Sequence, residues 1–343
     1  FATPQAQKEQ ILLPVLKHLH AHHTQYCKAY ANIAGTDGQA INDYAALPYL
    51  AVRLFKQFDL KSIPEQAVFK TLSSSGTTSQ TPARIALDKD TSARQSKVLV
   101  KIMQEFIGRQ RLPMLIIDSP AILKKSGLSA RAAGIQGMAF FGRRHTYALN
   151  DDMSLNARAV SDFCHEHEGQ PVLLFGFTFM VWLHFINAIE AANLTVNLPN
   201  GVLIHSGGWK KLVDQQVSND LFKQHVFEQT GIRRVHNFYG MAEQVGSVFV
   251  ECEKGHLHAP VFSDIIIRNP FTLSEQPIGA EGLIQVISAL PTSYPGHSLI
   301  TEDRGRILGE DTCRCGRKGR YFEVLGRLPK AEVRGCSDTG GQA

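Results

Sequence analysis

The chain has 343 residues, 43% apolar and 20% charged, a balance typical of a globular protein with a sizeable core. Its 36 basic and 31 acidic residues leave a formal net charge of +5, without the long basic run that favours nucleic-acid binding. Six cysteines in a chain of this length do not indicate a disulfide framework, so we expect a reducing, cytoplasmic environment. The longest apolar stretch, residues 172–189, includes His184 and Asn187 and fits a buried strand and helix better than a membrane span. We therefore expect no nucleic-acid partner and no integral membrane association.

The first predicted element is a helix over residues 5–32, kinked or broken near Pro14. Its predicted apolar face consists of Ile11, Leu12, Val15, Leu16 and Leu19. A turn entering a short helix follows at residues 45–57. From about residue 66 the order becomes strand, glycine-rich loop and helix, with short apolar runs such as 112–118 that are typical of strands buried on both faces. The other predicted strands are 85–88, 171–177, 201–206 and 234–238, and the predicted helices are 91–107 with Thr91 as N-cap, 178–193 and 218–229.

The pattern changes after residue 245, where strands follow one another with hardly any helix between them. These predicted strands are 247–252, 264–269, 281–290 and 321–326. The alternation before that point predicts an α/β fold, a mostly parallel sheet covered by helices, with a β-rich lobe added after it. We therefore divide the chain into an α/β core at 1–245, a β-rich lobe at 246–326 and a mobile C-terminal arm at 327–343.

A loop rich in hydroxyl groups, SSSGTTSQTP, occupies residues 73–82 between two predicted strands. Such a loop presents backbone N–H groups and hydroxyls to phosphate oxygens, and its glycine allows a tight backbone path. It lacks the Gly-Lys-Ser/Thr ending of a Walker loop, and loops of this kind are often only solvated connections. The candidate phosphate-binding residues are Ser74, Ser75, Gly76, Thr77 and Thr78.

Two later segments strengthen the phosphate interpretation. Ser206-Gly207-Gly208 and the run NFYGMAE at residues 237–243 follow the loop in order. Together they resemble the motifs of the acyl-adenylate-forming superfamily of acyl-CoA ligases, luciferases and peptide-synthetase adenylation domains. The resemblance implies that Gly207 and Gly208 line an adenine pocket, and that Tyr239, followed by Gly240, packs on adenine. It also implies that Glu243 reaches the Mg²⁺ carried by ATP.

Two more segments near the end of the chain complete the resemblance. Thr301-Glu302-Asp303 is similar to a Thr-Gly-Asp motif whose aspartate binds the ribose hydroxyls. Gly326-Arg327 is similar to the Gly-Arg hinge that precedes the superfamily's small C-terminal domain. Because the chain ends soon after Arg327, we expect that domain and its late catalytic lysine to be missing. The sequence also departs from the superfamily pattern at Ser79, Arg84 and Ala242.

The tail EVLGRLPKAEVRGCSDTGGQA carries Cys336 between a glycine and a serine, with Arg334 close enough to favour a thiolate. With the segment LLFGFTFMVWL, it resembles the acyl-protein synthetases of bacterial bioluminescence (LuxE-type). The resemblance implies that a fatty acid is activated by ATP and that the acyl group is then loaded onto Cys336. It further implies an acyl reductase protein as the partner that receives this group.

Two short clusters, ECEKGHLH at 251–258 and TCRCGR at 312–317, hold three cysteines and two histidines. Cys252, Cys313, Cys315 and one histidine suit a tetrahedral structural zinc site, in which four protein ligands leave no open position. If residues 250–258 form one strand, both histidines share the face of Cys252, so the residues themselves do not choose between His256 and His258. A similar pattern in phenylacetate-CoA ligase relatives favours His258.

An acyl group needs an apolar tunnel, and a phenylalanine-rich stretch offers candidate walls. These candidates are Phe140, Phe141, Phe175, Phe177, Phe179, Trp182 and Phe185. Two other functions remain open. The first is an acyl- or aryl-CoA ligase of the phenylacetate type, which the expected lack of the C-terminal domain opposes. The second is a non-catalytic adenylate-binding scaffold of an acyl reductase, which Ser79 and Ala242 suggest and which the intact Tyr239 and Glu243 oppose.

Overall fold

The computed structural model describes residues 1–35, 41–73, 82–123, 130–209 and 216–328. The α-helices are α1 Gln5–Tyr26, α2 Lys28–Ala34, α3 Lys89–Ile107, α4 Ala130–Ala139, α5 Ala157–Glu166, α6 Thr178–Met180, α7 Asn187–Ala191 and α8 Asn219–Thr230. A π-helical segment, Val181–Ile186, joins α6 to α7. Short 3₁₀ helices lie at Val52–Lys56, Glu65–Ala67, Pro120–Leu123 and Ala242–Gln244. Within the described ranges, no helix is long and apolar enough to cross a membrane.

The strands are likewise numbered in chain order. The first seven are β1 Leu50–Ala51, β2 Lys70–Ser73, β3 Arg84–Leu87, β4 Leu112–Ile116, β5 Gly142–Tyr147, β6 Leu173–Phe177 and β7 Val202–Ser206. The others are β8 Arg234–Tyr239, β9 Phe249–Glu251, β10 Leu257–His258, β11 Ser263–Arg268, β12 Gly282–Ser288, β13 Ser298–Glu310 and β14 Arg320–Arg327. The expected α/β class, with a mostly parallel sheet and a β-rich part, is confirmed.

The chain forms two compact units whose borders differ from the expected ones. Unit 1 consists of Phe1–Met103 together with the described residues from Tyr239 onward, and unit 2 consists of Gln104–Phe238. The expected border at 245/246 placed the first hundred residues with the parallel sheet. In the structure they pack with the β-rich part instead, because β1 pairs with β13, where Leu50 lies opposite Leu299. Such long-range pairing leaves no local signal in the sequence.

Unit 2 is built on a parallel sheet in the order β5-β4-β6-β7-β8. All five residues of β6 and of β7 are buried, as the continuous apolar runs predict for strands covered on both faces. Helix α8 begins after Ser218, whose side chain accepts a hydrogen bond from the Leu221 N–H, and it ends at Thr230, with Gly231 as the C-terminal cap. Gly231 has a left-handed φ of 75°, a conformation that glycine adopts without steric cost.

Unit 1 contains a mainly antiparallel sheet in the order β11-β12-β13-β14-β10-β9, while β2 and β3 form a separate hairpin. The sequence did not predict the 13-residue strand β13, which includes the Thr301-Glu302-Asp303 motif. The core of this unit holds fully buried aromatic side chains such as Tyr30, Phe249 and Phe322. Each side chain of this size contributes roughly 1.5–3 kcal/mol through burial.

Three local expectations about helices are wrong. The predicted helix over residues 5–32 is two helices, α1 ending at Tyr26 and α2 beginning at Lys28, and Pro14 lies inside α1. In α1 the buried residues include Leu12, Leu16 and Leu19, whereas Ile11 is 48% exposed and Val15 40% exposed. The buried stripe is therefore narrower than the apolar pattern of the sequence. Helix α3 begins at Lys89, before Thr91, and the Asp88 carboxylate accepts a hydrogen bond from the Thr91 N–H at 2.7 Å. A carboxylate accepts this bond more strongly than a hydroxyl does, so the N-cap moves back to the aspartate.

Candidate active site and metal centre

Tyr239 ends β8 and lies in unit 1, where its phenol donates a hydrogen bond to Asp303 Oδ2 at 2.7 Å. Its ring packs near Phe249 and Phe322, with ring centroids 6.2 Å and 6.3 Å away. Burial, together with the nearby Asp303 carboxylate, raises the pKa of Tyr239 well above its ordinary value. The phenol is therefore a permanent donor, and the ring is a rigid flat surface held at one edge by Asp303.

Asp303 and Arg327 are brought together by the pairing of β13 with β14, in which they lie directly opposite each other. Arg327 Nε is 3.4 Å from Asp303 Oδ1, and both side chains are partly exposed. The Asp303 N–H donates to the Thr301 hydroxyl, which itself donates to the Ile284 carbonyl. Thr301 thus fixes the backbone of β13 at Asp303, the residue that carries the carboxylate.

Glu243 lies in the 3₁₀ helix Ala242–Gln244 and is 8% exposed. Burial raises the pKa of Glu243 to about 7, although Arg327 acts in the opposite direction. The next residue anchors this turn, because the Gln244 amide donates to the carbonyls of Val286 and Gly296. A carboxylate held in this way gains from a cation, because the cation stabilises its ionised form.

Unit 1 therefore carries four of the predicted site residues within one connected arrangement: Tyr239, Glu243, Asp303 and Arg327. It combines a flat aromatic surface, a carboxylate that can accept bonds from hydroxyl groups and a guanidinium that can neutralise phosphate charge. Gly240 allows the close packing, because a Cβ there would lie 3.1 Å from Val248 Cγ1. Such an arrangement suits a nucleotide ligand.

In unit 2, Gly207 and Gly208 directly follow β7, as the motif order predicts. Gly207 has a φ of +83°, so the chain leaves the strand in a conformation that favours glycine. The preceding Ser206 hydroxyl donates to the Phe238 carbonyl at 3.1 Å, which fixes the end of β7 against β8. Carboxyl ends of parallel strands are where ligands bind in α/β sheets.

Most of the proposed tunnel phenylalanines are core residues of unit 2. Phe141, Phe175, Phe177, Trp182 and Phe185 are all buried. Phe140, in contrast, is 61% exposed, which contradicts its expected place in a buried tunnel. Trp182 lies in the π-helical segment and contacts Trp209 and Phe222, with ring centroids 5.8 Å and 6.0 Å away. The predicted phosphate-loop residues Ser74, Ser75, Gly76, Thr77 and Thr78, and also Cys336, lie outside the described residues.

A cysteine–histidine cluster, defined as Cys252, His258, Cys313 and Cys315, lies at one end of the unit 1 sheet. Cys252 lies in the loop between β9 and β10, His258 ends β10, and Cys313 and Cys315 lie in the loop between β13 and β14. The pairing of β10 with β14 brings these segments together. The four ligand atoms all lie within 4.8 Å of one another. Cys252 Sγ is 3.9 Å from Cys313 Sγ, and Cys315 Sγ is 3.3 Å from His258 Nε2.

These distances fit a tetrahedral metal, because two sulfurs each about 2.3 Å from a zinc ion would be about 3.8 Å apart. The Lys254 and Arg317 N–H groups donate to Cys252 Sγ and Cys315 Sγ, which favours thiolates. Burial raises the pKa of Cys252 to about 12 and lowers that of His258 to about 4. A buried thiolate at Cys252 therefore needs a compensating cation, and the neutral imidazole is the form that ligates one.

The condition that residues 250–258 form one strand is not met, because β9 and β10 form a hairpin with a turn between them. His256 Nδ1 is nevertheless 3.3 Å from Cys313 Sγ, so both histidines lie close to the cysteines. Both also stack on Tyr321, with ring centroids 5.1 Å and 5.7 Å away. His258, and not His256, belongs to the compact group of four ligand atoms. The sequence did not predict that Tyr321 would pack against the histidines, because a tyrosine eight residues after Cys313 belongs to no recognised motif.

The fold is that of the adenylate-forming CoA ligases. The chain is similar to 2-hydroxyisobutyryl-CoA ligase in an open conformation with 2-HIB-AMP and CoA, with a TM-score of 0.72, 17% identity and coverage of 96% of this chain and 77% of that chain. The same ligase in its thioesterification state matches with a TM-score of 0.71 and 17% identity over 95% of this chain and 69% of that chain. At these identities the likeness establishes the fold alone.

The chain belongs to the acyl-protein synthetase family LuxE, whose family model matches residues 1–343. A curated relative is the long-chain-fatty-acid–luciferin-component ligase of Vibrio harveyi, which is 24% identical over 196 residues. The aligned part is 56% of this chain and 50% of that protein, so the match spans about half of the relative's length.

Proposed function

We propose that this protein activates a fatty acid with ATP and Mg²⁺ as an acyl adenylate and then loads the acyl group onto its own Cys336. The observation that carries the first step is the arrangement of Tyr239, Asp303 and Arg327, in which one carboxylate contacts both partners. Family membership supports the second step, and the name of the Vibrio harveyi relative supports a long-chain fatty acid as the substrate.

In this proposal Asp303 accepts hydrogen bonds from the ribose hydroxyls, while the ring of Tyr239 supports the adenine. Arg327 neutralises phosphate charge, and Glu243 contacts the Mg²⁺ that accompanies ATP. Gly207 and Gly208, with the hydroxyl-rich loop at 74–78, have their adenine and phosphate roles from the family resemblance. Positioning and charge neutralisation of this kind are most of what adenylate formation needs from a protein.

The chemistry has two displacements. A carboxylate oxygen of the fatty acid attacks the α-phosphorus of ATP, and the bond to the β-phosphate oxygen breaks with release of pyrophosphate. The thiolate of Cys336 then attacks the acyl carbonyl carbon, and AMP leaves as the thioester forms. An acyl reductase partner would receive the acyl group from this thioester.

The test separates the two steps by replacing Cys336→Ser. We expect fatty-acid-dependent exchange of pyrophosphate into ATP to persist, because it needs only the adenylate. The unchanged protein should be labelled covalently by radioactive fatty acid and ATP, and hydroxylamine or thiols should release the label. The Cys336→Ser protein should not be labelled. Cys164→Ser, which changes a half-buried cysteine of unit 2, is the matched control and should keep both signals.

Three outcomes would contradict the proposal. Undiminished, thiol-labile labelling of the Cys336→Ser protein would place the acyl group elsewhere. Release of AMP only when coenzyme A is present would identify an acyl-CoA ligase instead. Absence of any hydroxamate when the adenylate is trapped with hydroxylamine would leave a non-catalytic scaffold.

We also propose that the cysteine–histidine cluster holds a structural zinc ion. The four ligand atoms suit its size and softness, and the set of four protein donors leaves no position for a substrate. Because the ligands come from two hairpins, the ion would cross-link these two hairpins of unit 1. Zinc would therefore contribute to stability and take no part in acyl transfer.

A further inference from the structure

Unit 2 carries an exposed surface that the proposed reaction does not use, referred to below as the arginine edge. It consists of residues 108–111 (GRQR), which lead into β4, and residues 139–145 (AFFGRRH), which lead into and begin β5. These two segments contain four arginines, Arg109, Arg111, Arg143 and Arg144, and no acidic residue. All four arginines are exposed.

Parallel pairing of the two strands explains why the segments lie side by side. Leu112 lies opposite Gly142 in the β4–β5 pair, so both lead-in segments are at the amino ends of their strands. The Arg111 Nε–H donates to the Gly142 carbonyl at 2.8 Å, and the Arg143 Nε–H donates to the Arg111 carbonyl at 3.0 Å. The guanidinium groups of Arg111 and Arg143 are therefore each held by a hydrogen bond to the backbone of the neighbouring segment. The amino ends of these parallel strands lie at the opposite end of the sheet from the carboxyl end of β7, which Gly207 follows.

An aromatic ring stands among these charges. Phe140 is 61% exposed, and the guanidinium carbon of Arg111 lies 6.0 Å from the centre of its ring. The neighbouring Phe141 is only 6% exposed and packs edge-on to Phe140, with centroids 5.5 Å apart. One of the two phenylalanines thus anchors the segment in the core, while the other is presented outward.

The charge of the arginine edge is little compensated. Among the described residues, the ion pair made by its four arginines is that of Arg144 with Glu166, 3.1 Å apart and exposed on both sides. Charged side chains on an edge strand are often explained as protection against aggregation. That explanation covers Arg143 and Arg144 but neither Arg109, which precedes β4, nor the outward ring of Phe140.

We propose that the arginine edge docks unit 2 on an anionic lipid surface. Guanidinium groups bind lipid phosphates, and an exposed aromatic ring between them fits the headgroup level of a bilayer. An acidic protein surface would also bind the arginines, but it would not explain the exposed aromatic ring among them. Docking would also bring the enzyme to where long-chain fatty acids partition, a benefit that rests on the proposed function although the lipid contact does not.

The test is co-sedimentation with vesicles in the absence of ATP and fatty acid, using phosphatidylcholine alone and an equal mixture with phosphatidylglycerol. We expect binding to the anionic vesicles only, and weaker binding at high salt. Arg109→Gln combined with Arg144→Gln should lower the partition coefficient about 25-fold, at about fivefold for each arginine. Phe140→Ala should lower it about tenfold, because the ring no longer enters the interface.

Matched controls keep the result interpretable. Arg158→Gln with Lys101→Gln removes the same number of exposed positive charges from residues that do not belong to the arginine edge, and Phe271→Ala removes a ring that is 92% exposed in unit 1. Both controls should bind as the unchanged protein does. Equal binding to the two kinds of vesicle, equal losses in the controls, or no binding to anionic vesicles would overturn the proposal. Because pyrophosphate exchange is measured without vesicles, failure of lipid docking would be distinguishable from failure of adenylation.

Discussion

The two ends of the β13–β14 pair in unit 1 are built in contrasting ways. At one end Asp303 lies opposite Arg327, and at the other Glu310 lies opposite Arg320, next to the loop that carries Cys313 and Cys315. At about 3.3 Å per residue, the seven steps from Asp303 to Glu310 span about 23 Å. One pair of strands therefore connects the proposed nucleotide site with the proposed zinc site.

The first end holds partly exposed, opposite charges, which compensate each other and can exchange partners when a charged ligand arrives. The second end holds thiols that accept backbone N–H bonds from the turns on which they lie, so their positions are set by the chain itself. The same strand pair thus combines one end where the backbone fixes the positions of the side chains with another end where charged side chains are available to a ligand.

The largest expected effect is at the charged end. Asp303→Asn keeps the shape of the side chain but removes the charge that strengthens hydrogen bonds to the ribose hydroxyls. At about 1.5–3 kcal/mol for each of two such bonds, kcat/KM for ATP should fall about 10³-fold. Pyrophosphate exchange at varied ATP concentration measures this loss.

Glu302→Gln is the control for that prediction, because it removes the neighbouring carboxylate, which pairs with Arg53. An exposed pair of this kind contributes little, so exchange should change less than about threefold. If Glu302→Gln lowered exchange as much as Asp303→Asn does, the loss would reflect the charge of the strand and not a contact with ribose.

The next effect is at the cysteine end, where Cys313→Ser removes one ligand. We expect about one equivalent of zinc in the purified protein and less than half an equivalent in the variant, measured by elemental analysis. The free energy of unfolding should fall by about 3–4 kcal/mol, since a cross-link between two loops is lost. Cys27→Ser, a buried cysteine outside the cluster, should keep the zinc. Metal-free wild-type protein would contradict the zinc proposal.

Sequence patterns predicted β4, β6, β7, β8 and α8 of unit 2 from local signals, but they did not predict α4, β5 or α5. The apolar runs of β6 and β7 and the helix start at Ser218 are all local features. Unit 1 was harder, because its organisation depends on pairing between distant segments. The strand β13 has no continuous apolar run, and its two bulges break the period-two alternation.

The site shows the same limit. Motif order identified Tyr239, Asp303 and Arg327, but only the β13–β14 register places Asp303 against Arg327. The sequence did not reveal the role of Gln244, whose amide holds the turn of Glu243 by two bonds to carbonyls. A buried amide of this kind has no distinctive spacing, so its partners are known only from the fold.

The smallest effect concerns Glu243 and sharpens the contrast, because this carboxyl is buried beside the charged end without a full counter-charge. The pKa rises from the ordinary 4.5 to about 7, so between these values the folded protein holds a proton that the unfolded chain has lost. The free energy of unfolding should therefore fall as pH rises through this window, by at most about 3 kcal/mol. Glu243→Gln removes this dependence and should be more stable than the parent at pH 8, but of similar stability at pH 4.5.

Urea unfolding at both pH values measures that difference, and pyrophosphate exchange measures its functional counterpart. The glutamine carries no negative charge to bind Mg²⁺, so exchange should fall about 10²-fold. The free energy of unfolding at pH 8 should rise at the same time, because a buried charge that serves catalysis lowers stability. Glu302→Gln again provides the comparison, with neither change expected. A Glu243→Gln protein that loses both exchange and stability at pH 8 would show that the carboxylate supports the fold, and its proposed cation contact would have to be abandoned.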